Sequence, residues 1–283
     1  MMDRIHIEIS NICNLQCSFC PVVERDKKVM SLEKVQHAVL QAKAFSKQIC
    51  LHLMGEPLAH PEFEKIVSFC EEQSVSLQIT TNGILLQRYQ EILCSKAVRQ
   101  INFSLQSFTD NFKHKPIDEY LFKILKFTKY LEQRSPDCYV NLRLWNNGIE
   151  SKENELIFRL VEKFYEVTIN RNVDVSFKKS KKVWNKVYLH FDSRFEWPSL
   201  EIPDQGSSGR CNGLKTHIGI HADGSVVPCC LDKEANINLG NVFEEDLSEI
   251  INSERAVRMK RGFENNKRVE DFCRHCSYIN RFK

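Results

Sequence analysis

Cys13, Cys17 and Cys20 are separated by three and then two residues, a spacing that can turn three thiolates toward one iron–sulfur cluster. A cubane [4Fe-4S] cluster normally takes four protein ligands, so three leave one iron open to a small molecule. Ferredoxin-type runs differ, because four thiolates close every iron and the protein only moves electrons. The competing reading is zinc, which usually takes C-x2-C pairs completed by a second pair or by histidines. Nothing within reach after Cys20 completes such a set.

A second group stands near the other end. Cys211 precedes a hairpin signal, in which Thr216 to His221 and Ser225 to Val227 flank Asp223-Gly224 and return the chain to Cys229 and Cys230. A predicted helix from about Leu247 to Arg261 then leads to Cys273-Arg274-His275-Cys276. One cysteine, a hairpin, a second cysteine, a helix and a C-x2-C hook can supply four thiolates to one tetrahedral zinc or one cubane cluster. A cubane closed by four thiolates has no iron open to substrate and relays electrons. Twelve cysteines in a chain that starts without an apolar signal segment point to metal rather than disulfides. Cys50, Cys70, Cys94 and Cys138 lie outside both groups, and Cys70 and Cys94 fall on apolar faces of predicted helices as small hydrophobes.

These cysteines need a scaffold, and the 283 residues, 42% apolar and 27% charged, suit a globular protein. Arg4 to Ser10 alternates as a strand, with Ile5, Ile7 and Ile9 on one face, and leads into the first cysteine loop. Ser31 caps a predicted helix, and strands follow at Ile49 to Leu53, Val75 to Thr80, Gln100 to Leu105, Tyr139 to Trp145 and near Val173 to Phe177. Between them lie helices opened by Pro61, at about Leu85 to Ser95, Ile117 to Arg134 and Glu153 to Tyr165. Such alternation makes right-handed βαβ units and a parallel sheet. A closed eight-unit barrel takes about 250 residues, so the roughly 190 available fit an open (β/α)6 barrel, with its site at the C-terminal strand ends. Gly206-Ser-Ser-Gly209 reads as a linker, dividing the chain into an α/β barrel over 1–205 and a small α+β unit over 206–283.

The first cysteine motif resembles that of the radical S-adenosylmethionine (radical SAM) superfamily, C-x3-C-x2-C with an aromatic residue before the third cysteine, here Phe19. The resemblance implies a partial barrel and S-adenosylmethionine chelated to the open iron. It also implies reductive cleavage to methionine and a 5′-deoxyadenosyl radical that takes a hydrogen atom from the substrate. Met54-Gly55-Glu56-Pro57 is similar to the family's Gly-Gly-Glu-Pro motif, with Met54 replacing the first glycine. Gly55 would let backbone approach the ligand and Glu56 would pair with its ammonium. Thr80-Thr81-Asn82-Gly83 resembles the family's Thr-Asn-Gly turn, and Ser104 matches a small polar position against the cofactor's ribose or carboxylate. Arg143 can clamp that carboxylate. Each also reads as an ordinary turn, strand-end hydroxyl or surface charge. The C-terminal group, with Asp-Gly-x-Val-x-Pro-Cys and Leu239-Gly240-Asn241, resembles the SPASM auxiliary-cluster module. It lacks the full seven cysteines and so is closer to the shortened twitch form, with one auxiliary [4Fe-4S] cluster on Cys211, Cys229, Cys273 and Cys276 and with Cys230 spare.

The expectation is therefore a radical SAM enzyme with two [4Fe-4S] clusters, acting on a small molecule or a peptide or protein side chain. About three residues precede the first strand and no leader-binding segment is expected, which tilts the substrate toward a small molecule or an unaided protein. Two other classes remain, an iron–sulfur electron carrier or redox sensor and a zinc-stabilised nucleic-acid-binding protein. Net charge is only +3, so the second rests on Lys178, Lys179, Lys181, Lys182 and Lys186 with Trp184. That run reads as a solvated face, or as steering for an anionic substrate or for a reducing partner such as flavodoxin or ferredoxin. No run of about 18 apolar residues occurs, so a cytoplasmic protein without membrane contact is expected.

Overall fold

The computed structural model describes residues 1–145, 152–172, 179–193 and 196–282. The barrel half runs β1 (Arg4–Ile7), α1 (Leu32–Lys43), β2 (Gln48–Cys50), α2 (Phe63–Glu72), β3 (Ser76–Thr81), α3 (Leu86–Tyr89), β4 (Val98–Ser104), α4 (Gln106–Asn111), α5 (Asp118–Arg134), β5 (Tyr139–Leu144) and α6 (Lys152–Tyr165). Then come β6 (Ser180–Trp184), β7 (Val187–Phe191), β8 (His217–Ile220), β9 (Val226–Val227), α7 (Leu247–Ile251), α8 (Glu254–Glu264) and α9 (Asp271–Arg274). The described strands form one sheet in the order β6-β7-β5-β4-β3-β2-β1-β8-β9. From β7 through β1 to β8 every pairing is parallel, and β6 and β9 close the two ends antiparallel. The fold is the expected α/β one, consistent with a partial TIM-like barrel.

Strand alternation separates two unlike faces. Ile5, Ile7, Ile79, Ile101, Phe103, Leu142 and Leu189 are buried on the outer face, where Phe103 meets Phe127 of α5 and Phe191 meets Phe158 of α6 edge-on. The inner face is polar. Gln100 and Asn141 both donate to Asn102 Oδ1 at 2.9 Å, Asn102 donates to Thr80 at 3.0 Å, and Cys50 donates to Gln78 at 3.1 Å. His6 of β1 and Glu8 just beyond it, on the opposite face from Ile5, Ile7 and Ile9, are buried as well, because one face meets helices and the other the lumen.

Several boundaries differ from the expectations. Ser31 caps α1 through Lys34 N at 3.4 Å as expected, but α2 begins at Phe63, with Glu62 rather than Pro61 at its edge. The single helix expected over Leu85 to Ser95 is α3 followed by a 3-10 turn at Ile92–Cys94. The strand expected near Val173 to Phe177 lies outside the described residues, and β7 takes the sixth parallel place. The lysine run, apart from the undescribed Lys178, belongs to the β6–β7 hairpin rather than to a connecting segment. There Lys179 pairs with Asp192 at 3.0 Å, Lys186 with Asp137 at 2.6 Å, and Lys181 donates to Asn170 O at 2.5 Å. Such pairing supports a structural role for these charges.

In the C-terminal unit the Asp223-Gly224 hairpin forms as expected, with Gly224 at φ +94, where a Cβ would lie 2.2 Å from Asn241 Oδ1. The helix expected over Leu247 to Arg261 is two, broken where the Ser253 hydroxyl caps α8 through Ala256 N at 3.3 Å. Gly206 to Gly209 is pinned rather than free: Gly209 N donates to Asn266 O at 2.8 Å and Arg268 N to Ser207 O at 2.7 Å. The sheet continues past this segment, since β8 docks parallel to β1.

Candidate functional site: two cysteine-lined cavities

The first cysteine loop follows β1 and is held by neighbours distant in sequence. From α4, Asn111 Oδ1 accepts from Gln16 N at 2.9 Å and its Nδ2 donates to Cys17 Sγ at 3.1 Å, while Asp110 accepts from the Ser18 hydroxyl at 2.6 Å. Leu15 N lies 3.4 Å and Asn82 Nδ2 3.9 Å from Cys13 Sγ. A hydrogen bond from the Cys20 thiol pulls Cys17 down to about 7 against the effect of burial, with Ser107 and Asn111 contributing. Cys20, as the donor, is pushed up. Donors aimed at sulfur are what metal-bound thiolates require. Sequence reasoning missed Asp110 and Asn111, since a short polar helix carries no motif.

The loop forms one wall of a cavity of about 520 Å³. Cys13, Cys17, Phe19 and Cys20 face Gly55, Glu56, Thr81 and Asn82, with Ser104 and Arg143 farther round. All of the residues proposed for the cofactor converge here except Pro57, which is buried and begins a 3-10 turn capped by Glu56. The Arg143 guanidinium stacks 3.5 Å from the Trp145 ring centre.

Two residues act differently from the simple expectation. Gly55, at φ +77, is required by the chain itself, because a Cβ there would lie 2.2 Å from Ser10 O at the root of the cysteine loop. Glu56 is only 2% exposed. Its Oε1 accepts from Leu58 N at 3.0 Å and Thr81 Oγ1 at 2.7 Å, and its Oε2 from Asn82 N at 2.8 Å. Burial outweighs these donors and raises it to about 7. Glu56 thus fixes the Thr-Asn turn and presents one less occupied oxygen, Oε2, to the cavity.

A second cavity, of about 440 Å³, is lined by Cys211, Cys229, Cys273 and Cys276. Gly213 lies between two of them, and a Cβ on it would lie only 3.0 Å from Pro228 O, the carbonyl just before Cys229. Burial raises all four thiols, and neighbouring cysteines add to the rise at Cys229, Cys273 and Cys276. Arg268, 3% exposed, donates to Cys273 O and Gln205 O, yet its buried Nε–H has no partner among the described residues. An orphaned cationic donor beside four thiols fits an anionic sulfur cluster. Among the described residues no three Cys, His, Asp or Glu side chains gather tightly enough for a single metal ion; the sulfurs instead surround a space. Cys230, expected to be spare, lines both cavities with Leu231 and Trp145.

Known proteins match both halves. Residues 7–145 match the radical SAM superfamily and residues 211–277 the SPASM iron–sulfur cluster-binding domain. A GTP 3′,8-cyclase of Alkaliphilus oremlandii is 32% identical over 114 residues, covering 38% of this chain and 35% of that protein. The chain therefore spans about a third of the length of such relatives, although one from Clostridium perfringens aligns at 23% identity over 88% of both chains. Among solved structures, BtrN in complex with AdoMet and 2-DOIA is 16% identical with a TM-score of 0.57, covering 98% of this chain and 93% of that one. Streptococcus suis SuiB bound to its precursor peptide SuiA is 19% identical with a TM-score of 0.62, covering 99% and 72%. These structures show the likeness of fold. With the cysteine loop at the end of β1, a cysteine-lined cavity in each half and both domain matches in place, S-adenosylmethionine and [4Fe-4S] clusters are its cofactors, and the chain belongs to the radical SAM superfamily with a C-terminal SPASM domain.

Proposed function

We propose that this radical SAM enzyme binds its catalytic cluster on Cys13, Cys17 and Cys20 and its cofactor against Glu56, Thr81, Asn82, Ser104 and Arg143. In this reading it oxidises or otherwise modifies a small molecule held between the two cavities. The observation that carries it is the shared wall: Trp145, Cys230 and Leu231 line both the S-adenosylmethionine cavity and the one ringed by the C-terminal cysteines. When bound, the reduced cluster supplies the electron that cleaves S-adenosylmethionine to a radical able to take a hydrogen atom from carbon. The chain's own part is orientation and protection. Glu56 Oε2 would meet the ligand's ammonium and Arg143, backed by Trp145, its carboxylate, while Asn82, which donates to Asn14 Oδ1 at 2.7 Å, would brace the cysteine loop against the cofactor. The four C-terminal thiolates would close an auxiliary twitch-type cluster that accepts or passes an electron but cannot bind substrate.

Relatives named as GTP 3′,8-cyclases and BtrN bound to 2-DOIA support a small substrate, whereas SuiB bound to SuiA is the precedent for a peptide. A flavodoxin or ferredoxin would deliver the reducing electron. The test is release of 5′-deoxyadenosine by anaerobically purified, dithionite-reduced protein. No release, with both clusters present, would leave only an electron carrier.

A further inference from the structure

The junction between the cavities carries a set of groups that neither the cluster loop nor the cofactor uses. Arg4 and His6 of β1 and His217 of β8 line the cavity of the C-terminal cysteines, His52 just beyond β2 lines the other, and Cys230 lines both. The His6 ring packs edge-on to His52 and His217, with centres 5.4 and 6.1 Å away. Burial holds His6, His52 and His217 neutral, helped by His217 at His6, by His6 and Arg143 at His52, and by Arg4 at all three. Arg4 lines the same cavity as His6 and His217. Among the described residues it makes no ion pair with a carboxylate.

The hydrogen bonds assign the tautomers. His6 Nδ1 lies 3.2 Å from His52 O, which can only accept, so His6 is protonated on Nδ1 and its Nε2 carries a lone pair. Thr216 Oγ1 donates to Asn212 O at 3.3 Å, so His217 Nδ1, 3.0 Å away, donates to that hydroxyl and again leaves Nε2 as an acceptor. Among the described residues, His52 Nδ1 is buried without a partner. A buried imidazole nitrogen without a partner is costly unless a ligand or water completes it. Arg4, His6 and His217 thus line one cavity and His52 the other, joined by the edge-on contact of the His6 and His52 rings, beside a lumen whose inner strand positions include amides, hydroxyls and the Arg143 guanidinium.

We propose that this junction is the substrate site and that it selects a small molecule bearing an oxyanion, carboxylate or phosphate, together with a neighbouring hydroxyl or amino group. The oxyanion meets Arg4, and the hydroxyl or amino group donates to the imidazole nitrogens. This rests on the reading of the enzyme given above and names the chemical class of its substrate.

The test uses reconstituted holoenzyme with S-adenosylmethionine bound, titrated anaerobically by calorimetry with inorganic pyrophosphate and, separately, with malate. Saturable binding is expected for at least one. Pyrophosphate points to a phosphorylated substrate and malate to a hydroxy acid. Arg4→Gln should weaken that binding at least about tenfold, the usual scale for losing a charge-assisted partner, and Arg4→Lys should recover most of it. S-adenosylmethionine affinity, measured in the same samples, reports whether the variants remain folded. Saturable binding of neither probe, or equal binding by wild type and Arg4→Gln, overturns the proposal. The radical SAM reading fails separately, through absence of 5′-deoxyadenosine from the wild type.

Discussion

Glu56 braces the fold and, in the proposed reading, meets the ligand as well. Three donors converge on it, and a glutamine cannot satisfy them, since its amide nitrogen would confront either Asn82 N–H or Leu58 N–H. Glu56→Gln should cost about 1–3 kcal/mol of stability. It should also lower S-adenosylmethionine affinity roughly tenfold or more without loss of iron, as read by anaerobic titration beside an iron assay. The neighbouring cysteines offer a second residue-scale test. Cys230→Ser should retain about eight irons as two cubanes, whereas Cys229→Ser should lose or spectroscopically alter the auxiliary cluster; the reverse pattern would exchange their roles. Histidine protonation gives a third. His6 and His217 are depressed by burial to about 3 and about 4. The unfolded chain therefore binds more protons than the folded one below its ordinary histidine value of about 6.5. Stability should be full above that value and fall as pH drops toward about 4, and His6→Gln should flatten the slope by up to about 1.4 kcal/mol per pH unit in denaturant titrations across this window.

At the scale of elements, α4 is six residues long and lies beside the cysteine loop immediately after β4. Its contacts are with the loop and the Cys17 sulfur, so in the proposed reading it contributes to the electronics and order of the first cluster. Hydrogen bonds to sulfur raise a cluster's reduction potential by stabilising its more negative state. Asn111→Ala should shift the catalytic cluster to a more negative potential while leaving the auxiliary signal in place, measured by redox titration with electron paramagnetic resonance. An unchanged potential would reduce Asn111 to a loop brace. The β6–β7 hairpin illustrates the opposite case, in which a conspicuous charge run is spent on local pairing.

Across the whole molecule, the two cysteine groups are tied by one buried ion pair. Glu8, at the end of β1, accepts both Arg25 contacts at 3.0 Å as well as Met54 N and Ala222 N at 3.2 Å. Glu234 from the C-terminal unit accepts from Glu24 N at 2.9 Å and Arg25 N at 3.1 Å. The Glu8 side chain is fully buried and that of Arg25 is 14% exposed. Burial nonetheless raises Glu8, with Arg25 opposing the rise. Arg25→Ala should therefore cost about 3–5 kcal/mol at neutral pH, because it strands a buried carboxylate. Glu8→Gln in the same chain should recover part of this, and thermal melts of both variants check it. Since Arg25 follows the cysteine loop and Glu234 follows Cys229 and Cys230, the same change should broaden the signals of both clusters.

The sequence by itself determined the features that depend on local spacing. Cys13, Cys17 and Cys20 lie within one loop, the Ser31 cap and the Asp223-Gly224 turn are short-range devices, and βαβ alternation follows from periodicity. These held because the controlling interactions span only a few residues. What the tertiary structure decided depends on contacts across long stretches of chain. Asn111 reaches Cys17, Arg25 reaches Glu8 and Lys233, and β8 joins the sheet beside β1. Nor could spacing show that Glu56 is sealed by donors from two elements, that Cys230 stands between the cavities, or that three histidines from separate strands pack edge-on. Strand order and register bring those side chains together, and both are set by packing of the whole barrel rather than by any local stretch.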